Sequence, residues 1–213
     1  MKKLPLGVST FSKIIEKGYI YVDKTRYIYE MINTGEVYFL SRPRRFGKSL
    51  LVSTLKSLFQ GEKDLFSGLY IFDKWDWNNK YSVLHIDFSD MDFTSPEELK
   101  ISLEDFIIDM AEKNNLTLKK RTLSGMFSEL IEKIHEKTGK KLVVLIDEYD
   151  AAIIDCINNI EIAEKNRNIL SNFYRVLKAS DEHLKFIFLT GVTKFSKTSI
   201  FSGLNNLDDI YFK

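Results

Sequence analysis

Apolar residues follow two kinds of spacing along the chain, and together they predict strands that alternate with helices. Residues 142–146 are continuously apolar, as in parallel strands buried on both faces, and residues 186–190 resemble them. Other short β-like runs stop at turns or at polar residues. In chain order, the predicted strands cover 19–22, 37–41, 82–88, 142–147, 186–190 and 209–212.

Between these strands, apolar residues recur every three or four positions, which predicts amphipathic helices. Several of these patterns stop at a glycine, the residue that most often ends a helix. In chain order, the predicted helices cover 8–18, 23–32, 49–61, 99–110, 123–134 and 163–178, and residues 62–80 are predicted to be irregular. Strands that alternate with helices predict an α/β fold with a mainly parallel sheet flanked by helices.

Composition narrows the class of protein but not its function. The 213 residues are 44% hydrophobic and 29% charged, which is typical of a globular protein with one well-filled core. A net charge of +1 gives no argument for nucleic acid or a membrane as a partner. Cys156 is the single cysteine, which rules out an internal disulfide, and no apolar run approaches the length of a membrane span. We expect a cytoplasmic protein.

The predicted strand 37–41 leads through a short loop into a helix, which is the usual context of a phosphate-binding loop. The pattern G-x-x-x-x-G-K-[ST] is matched at Gly47, Lys48 and Ser49, but Arg42 stands in place of its first glycine. Pro43 also lacks an N–H group that could contribute to phosphate binding. The alternative interpretation is an ordinary helix start with lysine and serine in its first turn.

Each residue of this loop has a chemical role in the phosphate-binding interpretation. A helix N-terminus offers free N–H groups and a partial positive charge to a polyphosphate. Gly47 allows close approach of the backbone because it has no Cβ. Lys48 is expected to contact the β- and γ-phosphates of ATP, and the Ser49 hydroxyl is expected to bind Mg²⁺.

An acidic pair follows the continuous apolar strand. Asp147 is placed to hold Mg²⁺ together with Ser49, because the carboxyl ends of parallel strands form the ligand-binding edge of an α/β sheet. Glu148 is the candidate residue that orients or deprotonates the attacking water. A solvated acidic pair at a strand end is the alternative, and it is disfavoured by the Gly-Lys-Ser sequence upstream.

Further candidates flank the predicted triphosphate. Thr190 ends a predicted strand, either as a polar sensor of the γ-phosphate or simply as a strand terminus, and Thr193 and Lys194 are nearby alternatives. Arg44 and Arg45 are the candidates in this chain for stabilising transition-state charge. The alternative for the loop arginines, favoured for Arg42, is that they only bind phosphate or pair with the acids of 147–150.

Taken together, the motifs resemble the AAA-ATPase-like domain family of bacteria and archaea. The resemblance begins near residue 6 and covers nearly the whole chain, and in this family an arginine in place of the first glycine is normal. The matching strings are YVDKT at 21–25, SRPRRFGKS at 41–49, LIDEYD at 145–150, TGVTKFS at 190–196 and SGLNNL at 202–207.

The resemblance implies a three-layer P-loop NTPase fold of the additional-strand type, with one domain over residues 1–213. It implies a core over 36–213 and an N-terminal element over 1–35 that places Asp23 and Lys24 near the nucleotide. It supports the roles given above for Lys48, Ser49, Asp147 and Glu148. The implied nucleotide-binding segment consists of Arg42, Pro43, Arg44, Arg45, Phe46, Gly47, Lys48, Ser49 and Leu50.

This chain departs from the family pattern in two ways. Ala151 and Ala152 follow the Glu-Tyr-Asp string, where family members often have a proline. Family proteins also usually continue into a helical lid and often into a PD-(D/E)XK-type nuclease domain, which we expect to be absent from a chain that stops at Lys213. Nucleic acid is therefore expected only as an indirect partner, through that domain.

The sequence leaves three functional hypotheses. The leading one is Mg²⁺-dependent binding and hydrolysis of ATP by a regulatory or motor module. The second is a nucleotide-binding switch or interaction module with little or no turnover. The third, a kinase, is disfavoured because Asp147 and Glu148 suit the activation of water. An apolar face left uncovered where the lid would pack also predicts self-association or a partner protein.

Overall fold

A parallel β-sheet with helices on both faces forms the protein. The computed structural model describes residues 3–193 and 208–210. Within that part of the chain the sheet has five strands in the order β2-β3-β4-β1-β5. The strands are β1 (Val37–Ser41), β2 (Val83–Asp87), β3 (Leu142–Asp147), β4 (Leu184–Gly191) and β5 (Asp208–Asp209).

Helices connect the strands and cover the sheet. They are α1 (Phe11–Glu16), α2 (Thr25–Thr34), α3 (Lys48–Phe59), α4 (Pro96–Lys113), α5 (Leu123–Thr138), α6 (Ala151–Ile154) and α7 (Ile160–Ala179), with short 3₁₀ turns at Lys63–Phe66, Phe88–Asp90 and Asp181–His183. Local sequence explains several helix ends. Ser95 and Thr122 accept hydrogen bonds from the first turns of α4 and α5, and Gly139 ends α5 at a φ of 65°.

The strand order confirms the predicted additional-strand arrangement. β1 lies between β4 and β5 and runs parallel to both, with Leu40 opposite Thr190. β3 lies on the far side of β4, so β1 and β3 are not neighbours. The predicted last strand is described only at its beginning, because residues 211–213 lie outside the described part. This order places the carboxyl ends of β1, β4 and β3 side by side.

Two apolar cores sandwich the sheet, and β3 contributes to both because its side chains alternate between the faces. Val144 and Ile146 pack with α4, α5 and α7, whereas Val143 and Leu145 pack with α1 and α3. Every residue of β3 is buried. The continuous apolar run in the sequence is explained by this burial on both faces.

The N-terminal element packs on α3, the helix that follows the candidate loop. Phe11 is fully buried, and its backbone N–H donates to the Ser53 hydroxyl of α3 at 2.9 Å. The predicted strand at 19–22 is wrong. These residues have no strand partner within the described chain, and the Ile20 N–H donates to the Lys3 carbonyl as an isolated contact. A short run of β-prone residues does not make a strand without a neighbour to pair with.

Candidate functional site

The candidate site lies at the carboxyl edge of the sheet, where the segments after β1, β3 and β4 meet. The segment after β1, residues 42–47, is called the arginine loop below. The Arg42 N–H donates to the Gly191 carbonyl at 3.1 Å, and the Ser41 hydroxyl donates to the Val192 carbonyl at 3.1 Å. These two contacts fix the start of the arginine loop to the end of β4.

The arginine loop reaches the first turn of α3 through a left-handed backbone. Gly47 precedes α3 at a φ of 77°, and Arg45 has a φ of 70°. A Cβ placed on Gly47 would meet no other atom within 4 Å. Glycine is therefore favoured at this position by the left-handed backbone conformation and not by a lack of space. Gly47 also has no side chain to cap α3, which leaves the N-terminal N–H groups of the helix available to a ligand.

Lys48 is buried at the base of the arginine loop, with 5% of its surface exposed. Its ammonium donates hydrogen bonds to the carbonyls of Arg42 at 3.0 Å and of Pro43 at 3.2 Å. The positive charge is thus held on the inner side of the loop. Ser49 follows in the first turn of α3 and is half-buried.

The remaining loop residues differ in their surroundings. Pro43, Arg44 and Arg45 are exposed, and Phe46 is 66% exposed. Leu50 is half-buried and packs against the core between the sheet and α3. The arginine loop therefore presents its charged and aromatic groups to solvent, while α3 anchors it.

Asp147 is buried at the end of β3 and is held by its neighbours. The Thr190 hydroxyl donates to Asp147 Oδ1, and the Glu148 N–H donates to the same oxygen at 3.1 Å. Asp147 Oδ2 accepts no hydrogen bond from the part of the chain that the structure describes. The structure thus orients this carboxylate through one oxygen, and Thr190, which is fully buried, belongs to the site as an orienting partner.

Glu148 follows Asp147 in a left-handed conformation, with a φ of 54°. The side chain is half-buried. Burial raises the pKa of Glu148, and the negative charges of Asp147 and Asp87 raise it further. Lys48 and Arg44 act in the opposite direction. A carboxylate whose pKa is raised is a stronger base, which suits the abstraction of a proton from water.

Asp150 is a structural acid to which the sequence analysis assigned no separate role. Its carboxylate accepts hydrogen bonds from the Val192 N–H, from the Thr193 N–H at 2.7 Å and from the Thr193 hydroxyl at 2.6 Å. The Tyr149 hydroxyl donates to the Thr193 carbonyl at 3.0 Å. A Cβ on Gly191 would lie 2.3 Å from the Tyr149 ring, so this close approach requires glycine.

Asp87 is a second acid that the sequence analysis passed over. It ends β2 and lies directly opposite Asp147 in the parallel register. Its Oδ1 accepts hydrogen bonds from the N–H and the hydroxyl of Ser89. The available signal was an aspartate at the end of each of two predicted parallel strands, since such ends share one edge of the sheet.

The acid that Arg44 contacts lies outside the segment 147–150. Arg44 Nη2 lies 3.4 Å from Asp155 Oδ1, just after α6, and the Arg42 guanidinium donates to the Ser41 carbonyl at 3.0 Å. This contact forms because α6 brings Asp155 to the rim of the loop, and the roles of the loop arginines stay predictions. A cleft of about 270 Å³ opens between Arg44, Asp155 and Glu148.

Asp23 is held by one partner close to it in sequence and by one that is distant. It accepts hydrogen bonds from the N–H and hydroxyl of Thr25 and from the Tyr70 N–H at 2.7 Å. Burial acts to raise the pKa of Asp23, but the hydrogen bonds from Thr25 and Tyr70 outweigh it, and the net shift is downward. Lys24 is exposed. The placement of Asp23 and Lys24 near a nucleotide stays a prediction.

Several candidates lie at or beyond the limits of the described chain. Thr193 is described, but Lys194 and the string 202–207 lie outside the described residues. Within the described part, no helix has the length and apolar character to cross a membrane. The same part contains no group of three or more His, Cys, Asp or Glu side chains that could enclose a metal. The roles of Asp147 and Ser49 as magnesium ligands stay a prediction.

Comparisons with known proteins agree with the motifs about the family of this chain. The model of a family described as Predicted AAA-ATPase matches residues 5–201. An uncharacterized protein in the vnfD 5′ region of Azotobacter chroococcum mcd 1 is 46% identical over 210 residues. That alignment covers 98% of this chain and 41% of the relative, so the chain spans about two fifths of the length of the relative.

A solved structure gives a much more distant match. One chain in the structure of Drosophila ORC bound to GC-rich DNA and Cdc6 matches 93% of this chain with a TM-score of 0.40 and 10% sequence identity. The match covers 54% of that chain. At this level of similarity we draw no conclusion from it.

Proposed function

The chain belongs to the AAA-ATPase-like family, and on that premise we propose that it binds ATP with Mg²⁺ and hydrolyses it as a regulatory or motor module. Family membership supports nucleotide binding. The geometry at the carboxyl edge of the sheet supports the assignment of individual residues. The activity of the longer protein to which such a domain can belong is part of the proposal.

The proposal depends chiefly on the placement of Lys48 and Asp147. Both side chains are buried, at 5% and 1% exposure, and they end up at one edge of the sheet although 98 residues separate them in sequence. β4 lies between their strands, so the two charges flank its carboxyl end. Burial of two opposite charges is costly unless each has a partner, and a phosphate with its magnesium ion partners both.

The chain offers suitable groups for Mg²⁺ and for the phosphates. Asp147 Oδ2 and the Ser49 hydroxyl are the oxygen ligands proposed for the ion, which supplies charge neutralisation of the phosphate oxygens when it is bound. Lys48 and the N–H groups at the start of α3 bind phosphate oxygens. Thr190 keeps Asp147 in its orientation through the hydroxyl contact.

Glu148 is the proposed general base. It follows the magnesium-binding acid, is half-buried, and has a raised pKa. Its carboxylate takes a proton from the water that attacks the terminal phosphate. Thr190 fixes the peptide that carries it, because its hydroxyl also lies 3.4 Å from the Glu148 N–H.

A switch with little turnover is the second candidate, and one observation favours it. Arg44, which lines the same cleft as Glu148, is paired with Asp155. Phosphate release measured with and without an added acceptor separates hydrolysis from a switch and from a kinase. We propose that ATP is the direct ligand, that the location is cytoplasmic and that the chain makes no membrane contact.

Self-association is a separate question. Light scattering on the same samples decides whether the chain self-associates.

The first prediction concerns Lys48. We expect Lys48→Ala to weaken ATP–Mg²⁺ binding by about 10- to 100-fold, because a hydrogen bond to a charged group contributes on the order of 1.5–3 kcal/mol. Isothermal titration calorimetry measures the affinity, and circular dichroism checks that the variant is folded. Lys100→Ala, an exposed lysine of α4, is the matched control and should bind like the parent. Unchanged affinity in a folded Lys48→Ala variant would remove the basis of the assignment.

A further inference from the structure

Arg44 and Arg45 are adjacent in the arginine loop, but their surroundings differ. The Arg44 guanidinium lies against Asp155 at 3.4 Å, and its charge also acts on Glu148. Arg45 has a left-handed backbone and makes no hydrogen bond or ion pair with any residue of the described chain. The sequence leaves both arginines as candidates for the one that acts on phosphate, and in the structure their surroundings differ.

The contact between Arg44 and Asp155 is weak enough to be exchanged. The two side chains are 73% and 47% exposed, and the distance of 3.4 Å is long for a charge-assisted hydrogen bond. Exposed ion pairs of this kind contribute little to stability. A phosphate offers the guanidinium several oxygens and a higher charge than one carboxylate, so it competes well for the same side chain.

The space beside this pair is large enough to admit a phosphate group. The cleft between Arg44, Asp155 and Glu148 has a volume of about 270 Å³. Pockets for a whole drug-sized ligand start at roughly 300 Å³, and a water molecule occupies about 30 Å³ in the liquid. A terminal phosphate with an attacking water fits within this space. Glu148 and Arg44 both line this cleft, so both would then contact the same reacting group.

We propose that Arg44 binds the terminal phosphate of ATP, and that Asp155 holds Arg44 at the rim of the cleft until this phosphate arrives. The inference rests on the proposed function. Arg44 then distinguishes ATP from ADP, since only ATP places a phosphate in the cleft. Asp155 immediately follows α6, which packs on α7. When Arg44 leaves Asp155 to bind ATP, the contacts at the end of α6 change, and this change couples ATP binding to α6 and α7.

The second prediction tests this assignment by equilibrium binding to the full 213-residue chain, without a need for turnover. The probes are the Mg²⁺ complexes of ADP and of a non-hydrolysable ATP analogue, measured by calorimetry at low salt. We expect Arg44→Ala to weaken binding of the analogue by about tenfold or more and binding of ADP much less, because charge-assisted contacts are among the stronger hydrogen bonds. Arg175→Ala, an exposed arginine of α7, is the matched control and should behave like the parent.

Asp155→Asn tests the other partner of the contact. We expect it to tighten binding of the analogue by up to about fivefold, since an exposed ion pair limits the gain. This gain should vanish in the Arg44→Ala background, which a double-mutant cycle shows directly. A merely structural role of Asp155 would give the same effect in both backgrounds.

The outcomes separate this inference from the function on which it rests. If the parent chain binds neither probe, the proposed function fails and the assignment of Arg44 fails with it. If the parent binds both probes and Arg44→Ala weakens both equally or neither, only the assignment of Arg44 is overturned. The same conclusion follows if Arg45→Ala, rather than Arg44→Ala, removes the preference for the analogue.

Discussion

The two segments that form the candidate site differ in how the protein holds them. The arginine loop after β1 exposes the side chains of Arg44 and Arg45 to solvent, and Arg44 also lies against Asp155. The segment after β3, residues 147–150, is mostly buried and anionic, and hydrogen bonds fix it to the end of β4. The acidic segment is thus organised before any ligand binds, whereas the arginine loop has exposed cationic groups that are available to bind a ligand.

This difference suits a site that must bind an anion and then act on it. Preorganised groups cost no rearrangement at the moment of reaction, which is where the acids are needed. Cationic side chains that stay exposed keep their hydration when no ligand is bound. They therefore avoid the free-energy cost of burying an unpaired charge. The predictions below change one side or the other of this comparison, from the largest expected effect to the smallest.

The third prediction, with the largest effect, concerns the base. Glu148→Gln should retain ATP binding but slow hydrolysis by about 10²- to 10⁴-fold, because the amide cannot accept a proton from water. Steady-state phosphate release and calorimetry on the same preparation measure the two effects. Glu132→Gln, an exposed glutamate of α5, is the matched control. Hydrolysis at the parent rate in Glu148→Gln would show that another group activates the water.

The fourth prediction concerns the structural acid of the same segment. Asp150→Asn places an NH₂ group against the N–H groups of Val192 and Thr193, so a hydrogen-bonded acceptor is lost. We expect the free energy of unfolding to fall by roughly 2 kcal/mol, the scale of a hydrogen bond to a charged group. Urea denaturation measures the change.

Asp105→Asn provides the control for this experiment. Asp105 is an exposed residue of α4, and its substitution should leave the denaturation midpoint unchanged. A folded Asp150→Asn variant with parent stability would mean that the segment after β3 is less tightly fastened to β4 than its hydrogen bonds indicate. The contrast between the two sides of the site would then be weaker.

The fifth prediction, with the smallest effect, concerns pH. Glu148 must be ionised to act as a base, and burial together with Asp147 and Asp87 raises its pKa in the folded chain. The acid limb of kcat/KM for hydrolysis should therefore lie above the ordinary glutamate value of about 4.3. Arg44→Ala should move this limb to still higher pH, because it removes a charge that lowers the pKa.

Stability gives an independent check of the same pKa. A carboxylate with a raised pKa in the folded state lowers the free energy of unfolding above that pKa, and the cost disappears as the pH falls through it. At neutral pH, Glu148→Gln should thus be slightly more stable to heat than the parent, and this difference should shrink at acidic pH. An acid limb at the ordinary value and no stabilisation would together contradict the raised pKa.

The sequence predicted the fold well because the relevant signals are local. The apolar run of β3 and the change to helical spacing after Gly47 are each contained in a few residues. The strand order came from the family resemblance, and the sheet confirms it. The strand predicted at 19–22 failed because a strand depends on a pairing partner, which no local pattern contains.

The site was predictable in its residue types but not in its contacts. Asp150 reaches its partners across 42 and 43 positions, and Arg44 reaches Asp155 across 111 positions. No local periodicity relates residues so far apart, so the sequence could not show which acid is satisfied by the backbone. The roles assigned to Lys48, Ser49, Asp147 and Glu148 stay predictions until binding and hydrolysis are measured.

The position of β1 between β4 and β5 has a consequence for synthesis on the ribosome. Leu40 pairs with Thr190, so β1 must wait for about 150 further residues before its neighbour β4 exists. At a translation rate of roughly 5–20 residues per second, this wait lasts about 8–30 s. Throughout that interval β1 offers unpaired edges, which are sites for aggregation and for chaperone binding. The strand β4, to which the arginine loop is fixed, is thus synthesised long after the loop itself.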